Sequence, residues 1–106
     1  MALYFIRFDV KPPADMSSQQ LTEIWDREAK SALEAVAAGA IKGIWKVAGQ
    51  RTVLCVLEVP ESRTVDQALA GLPINVEMGS NVHTTAMPIY PYEEFAEDLA
   101  KAASGA

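Results

Sequence analysis

The chain has 106 residues, of which half are apolar and 22% are charged, and its formal net charge is −5. This length predicts one domain with a hydrophobic core, and this composition excludes a disordered chain. The acidic balance argues against nucleic acid or an anionic membrane as the main partner. Because Cys55 is the single cysteine, an intrachain disulfide is excluded.

The predicted elements alternate between strands and helices along the chain. Alternating apolar side chains predict the strands, and apolar side chains three or four residues apart predict the helices. A capping box of Ser17 and Gln20 marks the start of the first helix, and Gly49-Gln50 marks a hairpin turn. In chain order we predict a strand over residues 2–10, a helix over 17–38, strands over 41–48 and 52–59, a helix over 63–70, an irregular stretch through 79, a strand over 82–87 and a helix over 92–103.

The order β-α-β-β-α-β plus one helix is that of the ferredoxin-like α+β fold, an antiparallel sheet with two helices on one face. We expect residues 1–90 to form this domain and residues 91–106 to form a C-terminal helical extension. In the first strand, Ile6, Phe8 and Val10 share one face, while Arg7 and Asp9 lie on the other.

Both faces of the strand over residues 52–59 are apolar, with Leu54 and Val56 on one and Val53, Cys55 and Leu57 on the other. Two helices cover only one face of a sheet, so the second face predicts a homo-oligomer. The terminal helix then either docks onto a partner subunit or caps its own subunit.

Glu28 is the acidic residue that departs from the amphipathic pattern of the first helix. Most charged side chains lie on one side of this helix, but Glu28 projects into the apolar side, between Ile24 and Ala32. Partial desolvation there would raise its pKa and suit it to proton transfer. Alternatively, Glu28 reaches water at the margin of the apolar side, or pairs with a cation such as Arg7 or Lys46.

Few other residues carry chemistry. The sequence has no Gly-rich phosphate loop, no zinc-ligand spacing and no nucleophile elbow, so no metal is expected. Cys55 is expected to be a buried thiol, and Trp25 and Trp45 to be core residues that could also touch a ligand. His83 stands alone. Arg7, Lys42 and Lys46 are the cations available to an acidic ligand.

Four segments together resemble the muconolactone delta-isomerase family. They are Val10–Met16 (VKPPADM), Ile44–Gly49 (IWKVAG), Ala68–Pro73 (ALAGLP) and the helix that contains Glu28, in matching order over residues 1–88. The resemblance implies the ferredoxin-like fold, dimers that assemble further into decamers, and no cofactor. It also implies a shift of a proton that interconverts muconolactone and 3-oxoadipate enol-lactone in aromatic degradation.

The resemblance also assigns roles to residues. The helical glutamate taken as the proton-transferring group of the family falls on Glu28. Arg7 aligns with a basic position of the first strand and is the first candidate to hold the substrate carboxylate. Lys46 aligns with a second basic position. Apart from the resemblance, Trp45, Arg51 and Phe5 are further candidate substrate-binding residues.

The chain also departs from the family pattern. Gln50, Arg51 and Val53 stand where a tyrosine and an asparagine are expected to line the pocket, and residues 91–95 begin an extra helix. We therefore expect a small unsaturated lactone or carboxylate as the substrate, without specifying which.

Two other functions stay open at this stage. One is a non-catalytic or ligand-binding oligomeric protein of the dimeric α+β barrel type, in which Glu28 only pairs with a cation. The other is a cofactor-free oxygenase of the same superfamily, for which His83 is the available histidine. The N-terminus lacks the pattern of a signal peptide and no apolar run reaches membrane-spanning length, so we expect a cytoplasmic protein.

Overall fold

A computed structural model describes residues 1–105 of the chain, as four strands and four α-helices. A short 3₁₀ turn, Gly79–Asn81, precedes the last strand. The elements in chain order are β1 (Ala2–Val10), α1 (Ser18–Ala37), β2 (Ile41–Lys46), β3 (Thr52–Val59), α2 (Arg63–Ala70), α3 (Pro73–Met78), β4 (Val82–Ile89) and α4 (Tyr92–Ala103).

The four strands form one antiparallel sheet in the order β2-β3-β1-β4. Strand β1 lies in the interior of the sheet, where Ile6 pairs with Cys55 of β3 and with Ala86 of β4. This topology confirms the predicted ferredoxin-like α+β fold.

Helices α1 and α2 cover one face of the sheet, which we call the inner face. Alternation along β1 turns Ile6 and Phe8 toward this face, and both are buried with Ala32 of α1 and Val65 of α2. The capping box predicted at Ser17 fixes the start of α1. The Ser17 side chain accepts a hydrogen bond from the backbone N–H of Gln20, and the Gln20 side chain accepts one from the backbone N–H of Ser17.

Three elements differ from the sequence predictions by more than one residue. Helix α3 occupies residues predicted to be irregular, and its first residue is Pro73. Proline is favoured at this position, because the first backbone N–H of a helix has no partner within the helix and its absence costs no hydrogen bond. Strand β2 ends at Lys46 instead of residue 48, because the turn to β3 begins at Val47. Strand β4 continues through Pro88 to Ile89. An edge strand tolerates a proline, because the backbone N–H groups on its free side have no strand to bond with.

The opposite sheet face, here called the outer face, carries no helix in the described part of the chain. Its residues Phe5, Leu54 and Val56 are only half-buried, and Met87 is exposed. Arg7 also lies on this face, opposite Leu54 and Thr85 in the register.

Helix α4 extends away from the sheet. The chain measures 62 × 26 × 22 Å and has a radius of gyration of 17.0 Å, compared with about 13 Å for a compact domain of this length. Within residues 1–105, no other helix or strand packs extensively against α4. None of the helices in that range is both long and apolar enough to cross a membrane.

Candidate active site

A cavity of about 570 Å³ lies between α1 and the inner face of the sheet. Its walls are almost entirely apolar side chains from α1, strands β1, β2 and β3, α2 and the start of α3. Among the lining residues only Glu28 and Lys46 carry a charge. A site of this kind, apolar with a few polar groups, is typical of small-molecule binding.

The carboxyl group of Glu28 lies in the wall of this cavity and is half-buried. Its Oε2 accepts a hydrogen bond from the Ile74 amide, at 3.1 Å. This amide is available because the first N–H groups of a helix have no partner within the helix, and Ile74 is the second residue of α3.

Burial raises the pKa of Glu28 above the ordinary value of a glutamate, and the hydrogen bond from Ile74 opposes this only in part. No ion pair involves Glu28 within residues 1–105. The alternative in which Arg7 or Lys46 neutralises this carboxylate is therefore not what the structure shows. A carboxylate placed in this way can accept and return a proton inside an apolar site.

Cys55 is a buried neighbour of Glu28 on the cavity wall, as predicted for its thiol. Burial, with a smaller contribution from the negative charge of Glu28, raises the pKa of Cys55 to about 11. The thiol is therefore protonated near neutral pH and is a poor nucleophile.

Lys46 ends β2 and lies opposite Val53 of β3, on the inner side of the sheet. Its Nζ donates hydrogen bonds to the backbone carbonyls of Val47, at 3.0 Å, and Gln50. Lys46 lines both the cavity and a shallow groove beside it, which we call the basic groove. This groove also contains Lys11, Arg51 and the carboxylate of Asp9. The predicted ligand residue Arg51 therefore lies next to the cavity but does not line it.

Arg7, the first candidate for holding a carboxylate ligand, lies away from the cavity of its own chain. Its neighbours Ile6 and Phe8 face the cavity, so strand alternation turns Arg7 to the outer face. There its Nε lies 2.9 Å from Oδ2 of Asp9, and this contact lowers the pKa of Asp9. Phe5 lies on the outer face for the same reason. The structure thus corrects the expectation that these two residues meet Glu28 within one subunit.

The two tryptophans have different environments. Trp25 is half-buried and lines the cavity. Trp45 borders the cavity only at the β2 edge: it lies opposite Leu54 in the register, on the outer side of the sheet, and it is 58% exposed, so the prediction that it is a core residue is wrong. Its ring lies over Gly43, where a Cβ atom would overlap it.

His83 is exposed on the outer face, opposite Asp9 in the register. It does not line the Glu28 cavity, so the histidine that the oxygenase alternative requires is absent from this site. Within residues 1–105, no group of three or more His, Cys, Asp or Glu side chains is arranged to hold a metal ion.

The sequence interpretation missed the backbone amide of Ile74 as a partner of Glu28. Two signals could have indicated it: Pro73 is typical of a first helical position, and Ile74 and Met78 are apolar at a spacing of four residues. Both side chains are indeed buried, in a cluster with Ile24 of α1. This packing holds α3 against the helix that carries Glu28.

Comparisons with known proteins agree with this architecture. The chain is 28% identical over 89 residues to the muconolactone delta-isomerase of Cupriavidus pinatubonensis (strain JMP 134 / LMG 1197), covering 84% of this chain and 95% of that protein. The crystal structure of muconolactone isomerase at 3.3 Å resolution superposes with a TM-score of 0.70 at 21% identity, over 84% of this chain and 88% of the other. The sequence profile of the family described as muconolactone delta-isomerase matches residues 2–93. The chain therefore belongs to the muconolactone delta-isomerase family.

Proposed function

We propose that this protein is a cofactor-independent isomerase that shifts a proton within a small unsaturated lactone bearing a carboxylate, in the degradation of aromatic compounds. Muconolactone, which would become 3-oxoadipate enol-lactone, is the first substrate to test. The observation that carries the proposal is the half-buried carboxylate of Glu28 in the wall of a largely apolar cavity. Membership of the family supports the reaction type.

Glu28 would act first as a base and then as an acid. Its carboxylate removes the proton from the γ-carbon of the conjugated lactone, the ring carbon bonded to the ring oxygen, which leaves a dienolate. The same carboxyl group returns the proton at the other end of the conjugated system, so that atoms and charge balance without another reactant. Acid–base catalysis by one positioned group contributes about 10²–10⁴-fold to the rate.

Lys46 would hold the carboxylate of the substrate. It is the cation that lines the cavity, whereas Arg7 is paired with Asp9 on the outer face. A charge-assisted hydrogen bond to the substrate orients the lactone ring relative to Glu28. The substrate-binding set that we propose is therefore Lys46, with Arg51 in the adjoining basic groove.

The uncovered outer face supports a homo-oligomer. Large apolar side chains there are only half-buried, which is typical of a sheet that packs against another subunit. The number of subunits, the domain boundary at residue 90 and the cytoplasmic location stay predictions.

Hydrogen exchange tests the proposed reaction. Incubation of muconolactone with the protein in heavy water should incorporate deuterium into the recovered lactone or its isomer, because Glu28 exchanges its proton with solvent. Glu28→Gln should lower the rate of deuterium incorporation at least 100-fold, since the glutamine side-chain amide cannot take up the proton of the lactone. The measurement is NMR or mass spectrometry of the recovered lactones.

Glu34→Gln is the matched control, because it is the same substitution on the same helix, at a glutamate that is exposed. This variant should exchange at the wild-type rate. Equal rates in the wild type and Glu28→Gln would remove Glu28 from the mechanism. Binding of lactones without any exchange in the wild type would favour the ligand-binding alternative.

A further inference from the structure

Two exposed apolar surfaces are not explained by the proposed chemistry. One is a side of α4, which we call the α4 stripe and which contains Tyr92, Phe95 and Leu99. The other is Trp45, at the β2 edge of the sheet. Single exposed apolar residues are ordinary, but a row of them on a projecting helix is typical of an interaction site.

Helix α4 has the pattern of a helix that binds a partner. Tyr92 is 72% exposed and Leu99 is 49% exposed, and the Tyr92 and Phe95 rings make an edge-to-face contact at 5.7 Å. The remaining side of α4 is acidic. Its carboxylates are Glu93, Glu94, Glu97 and Asp98, against the single cation Lys101.

The β2 edge has the complementary character. The exposed Trp45 ring provides an apolar surface, and the adjoining basic groove provides the cations Lys11, Lys46 and Arg51. The carboxylate in this groove, Asp9, is already occupied by the Arg7 ion pair and a hydrogen bond from Thr52. An acidic, amphipathic helix therefore matches this edge in both hydrophobicity and charge.

We propose that the α4 stripe of one copy of this chain docks at the β2 edge of a second copy, against Trp45 and the basic groove. Within one chain this contact does not form, because α4 follows β4 and the β4 and β2 strands are opposite edges of the sheet. Each copy carries both the helix and the edge, so a two-fold pair makes the contact twice.

This contact would complete the candidate active site. Lys46 lines both the cavity and the basic groove, and Trp45 borders the cavity at the β2 edge. A helix of the second copy that docks there therefore covers the Lys46 side of the cavity and shields this side from water. The docking itself does not depend on the reaction that the cavity catalyses.

The fluorescence of Trp45 and the mass of the assembly test the contact in the full-length chain. A Trp25→Phe background leaves Trp45 as the single tryptophan. Its emission should shift to longer wavelength when the assembly dissociates on dilution, as monitored by analytical ultracentrifugation. In this background, Phe95→Asp should expose Trp45 and shift its emission to longer wavelength. If the α4 contact holds the assembly together, association should also weaken at least tenfold. If other contacts hold it together, the mass of the assembly should stay the same while the emission shifts.

Lys101→Asp is the matched control, because it introduces the same side chain on the side of α4 opposite the stripe. It should keep the mass and the emission of the parent protein. Circular dichroism should show that both variants keep their helices, since α4 packs little against its own domain. A parent protein that is monomeric at all concentrations, or a Phe95→Asp variant with unchanged Trp45 emission, would overturn the proposal.

Discussion

Glu28 owes its environment to two separate parts of the sequence. The apolar side of α1 directs the carboxylate into the cavity, and the first turn of α3 supplies the amide of Ile74 that binds it. The first contribution follows from helical periodicity, so the position of Glu28 was predictable. The second depends on long-range packing between α1 and α3, which periodicity within one helix does not contain.

Arg7 and Lys46 show that strand alternation can contradict a role assigned by resemblance to a family. Alternation already placed Arg7 on the face away from Ile6 and Phe8, yet the family resemblance favoured Arg7 as the ligand residue. The structure agrees with alternation and leaves Lys46 at the cavity. For side chains on a two-faced sheet, the predicted face is therefore stronger information than a matching residue type.

A substitution at Lys46 tests this assignment. Lys46→Met keeps most of the aliphatic side chain but removes the charge, so it should raise KM for the carboxylated lactone roughly ten- to hundredfold, the range expected for a charge-assisted hydrogen bond. The methyl ester of the same lactone should show little change. Steady-state kinetics with the two substrates measures the effect.

Arg7→Met provides the direct comparison, because both arginine and lysine were candidates for this role. Lys30→Met is the control for loss of a positive charge, since Lys30 pairs with Asp26 on an exposed part of α1. A rise in KM for Arg7→Met, with none for Lys46→Met, would contradict the assignment.

At the scale of elements, sequence patterns recovered most of the boundaries. The predicted limits of β1, β3, α2 and α4 match the structure, because each has a clear period and a clear stop. Helix α3 was missed because its only signals are Pro73 and one pair of apolar residues, Ile74 and Met78, within six residues. The predicted β2 was too long because Val47 is apolar like a strand residue, although its backbone belongs to the turn.

Helix α1 carries Glu28, and its start depends on the capping box. Ser17→Ala removes the acceptor of the Gln20 amide and should lower the free energy of unfolding by about 1 kcal/mol. Ser18→Ala, one residue inside the helix and outside the capping box, should change it much less. Urea denaturation measures both, and equal losses in the two variants would show that the cap does not stabilise α1.

At the scale of the whole molecule, the inner and outer sheet faces have different roles. The inner face encloses a core and a cavity in one subunit, whereas the outer face and α4 leave apolar side chains exposed. Composition and pattern predicted this asymmetry, since β3 is apolar on both sides. They did not predict that Trp45 lies exposed at the β2 edge beside the cavity, because this depends on the order of strands in the sheet.

The cavity also couples Glu28 to the stability of the whole chain. Its pKa is raised in the folded state, so the folded chain binds more protons than the unfolded chain between the two pKa values. The contribution of Glu28 to stability is therefore fully present below its unfolded pKa, and it is lost as pH rises through its folded pKa.

The most direct test is an NMR titration of the Glu28 side-chain carboxyl carbon in the folded chain and again in urea. Glu28→Gln identifies the resonance by removing it. We predict a folded pKa above the value in urea, because burial in the cavity disfavours the charged carboxylate. A folded pKa equal to or below the value in urea would contradict a desolvated carboxylate at this position, and with it the proposed proton transfer.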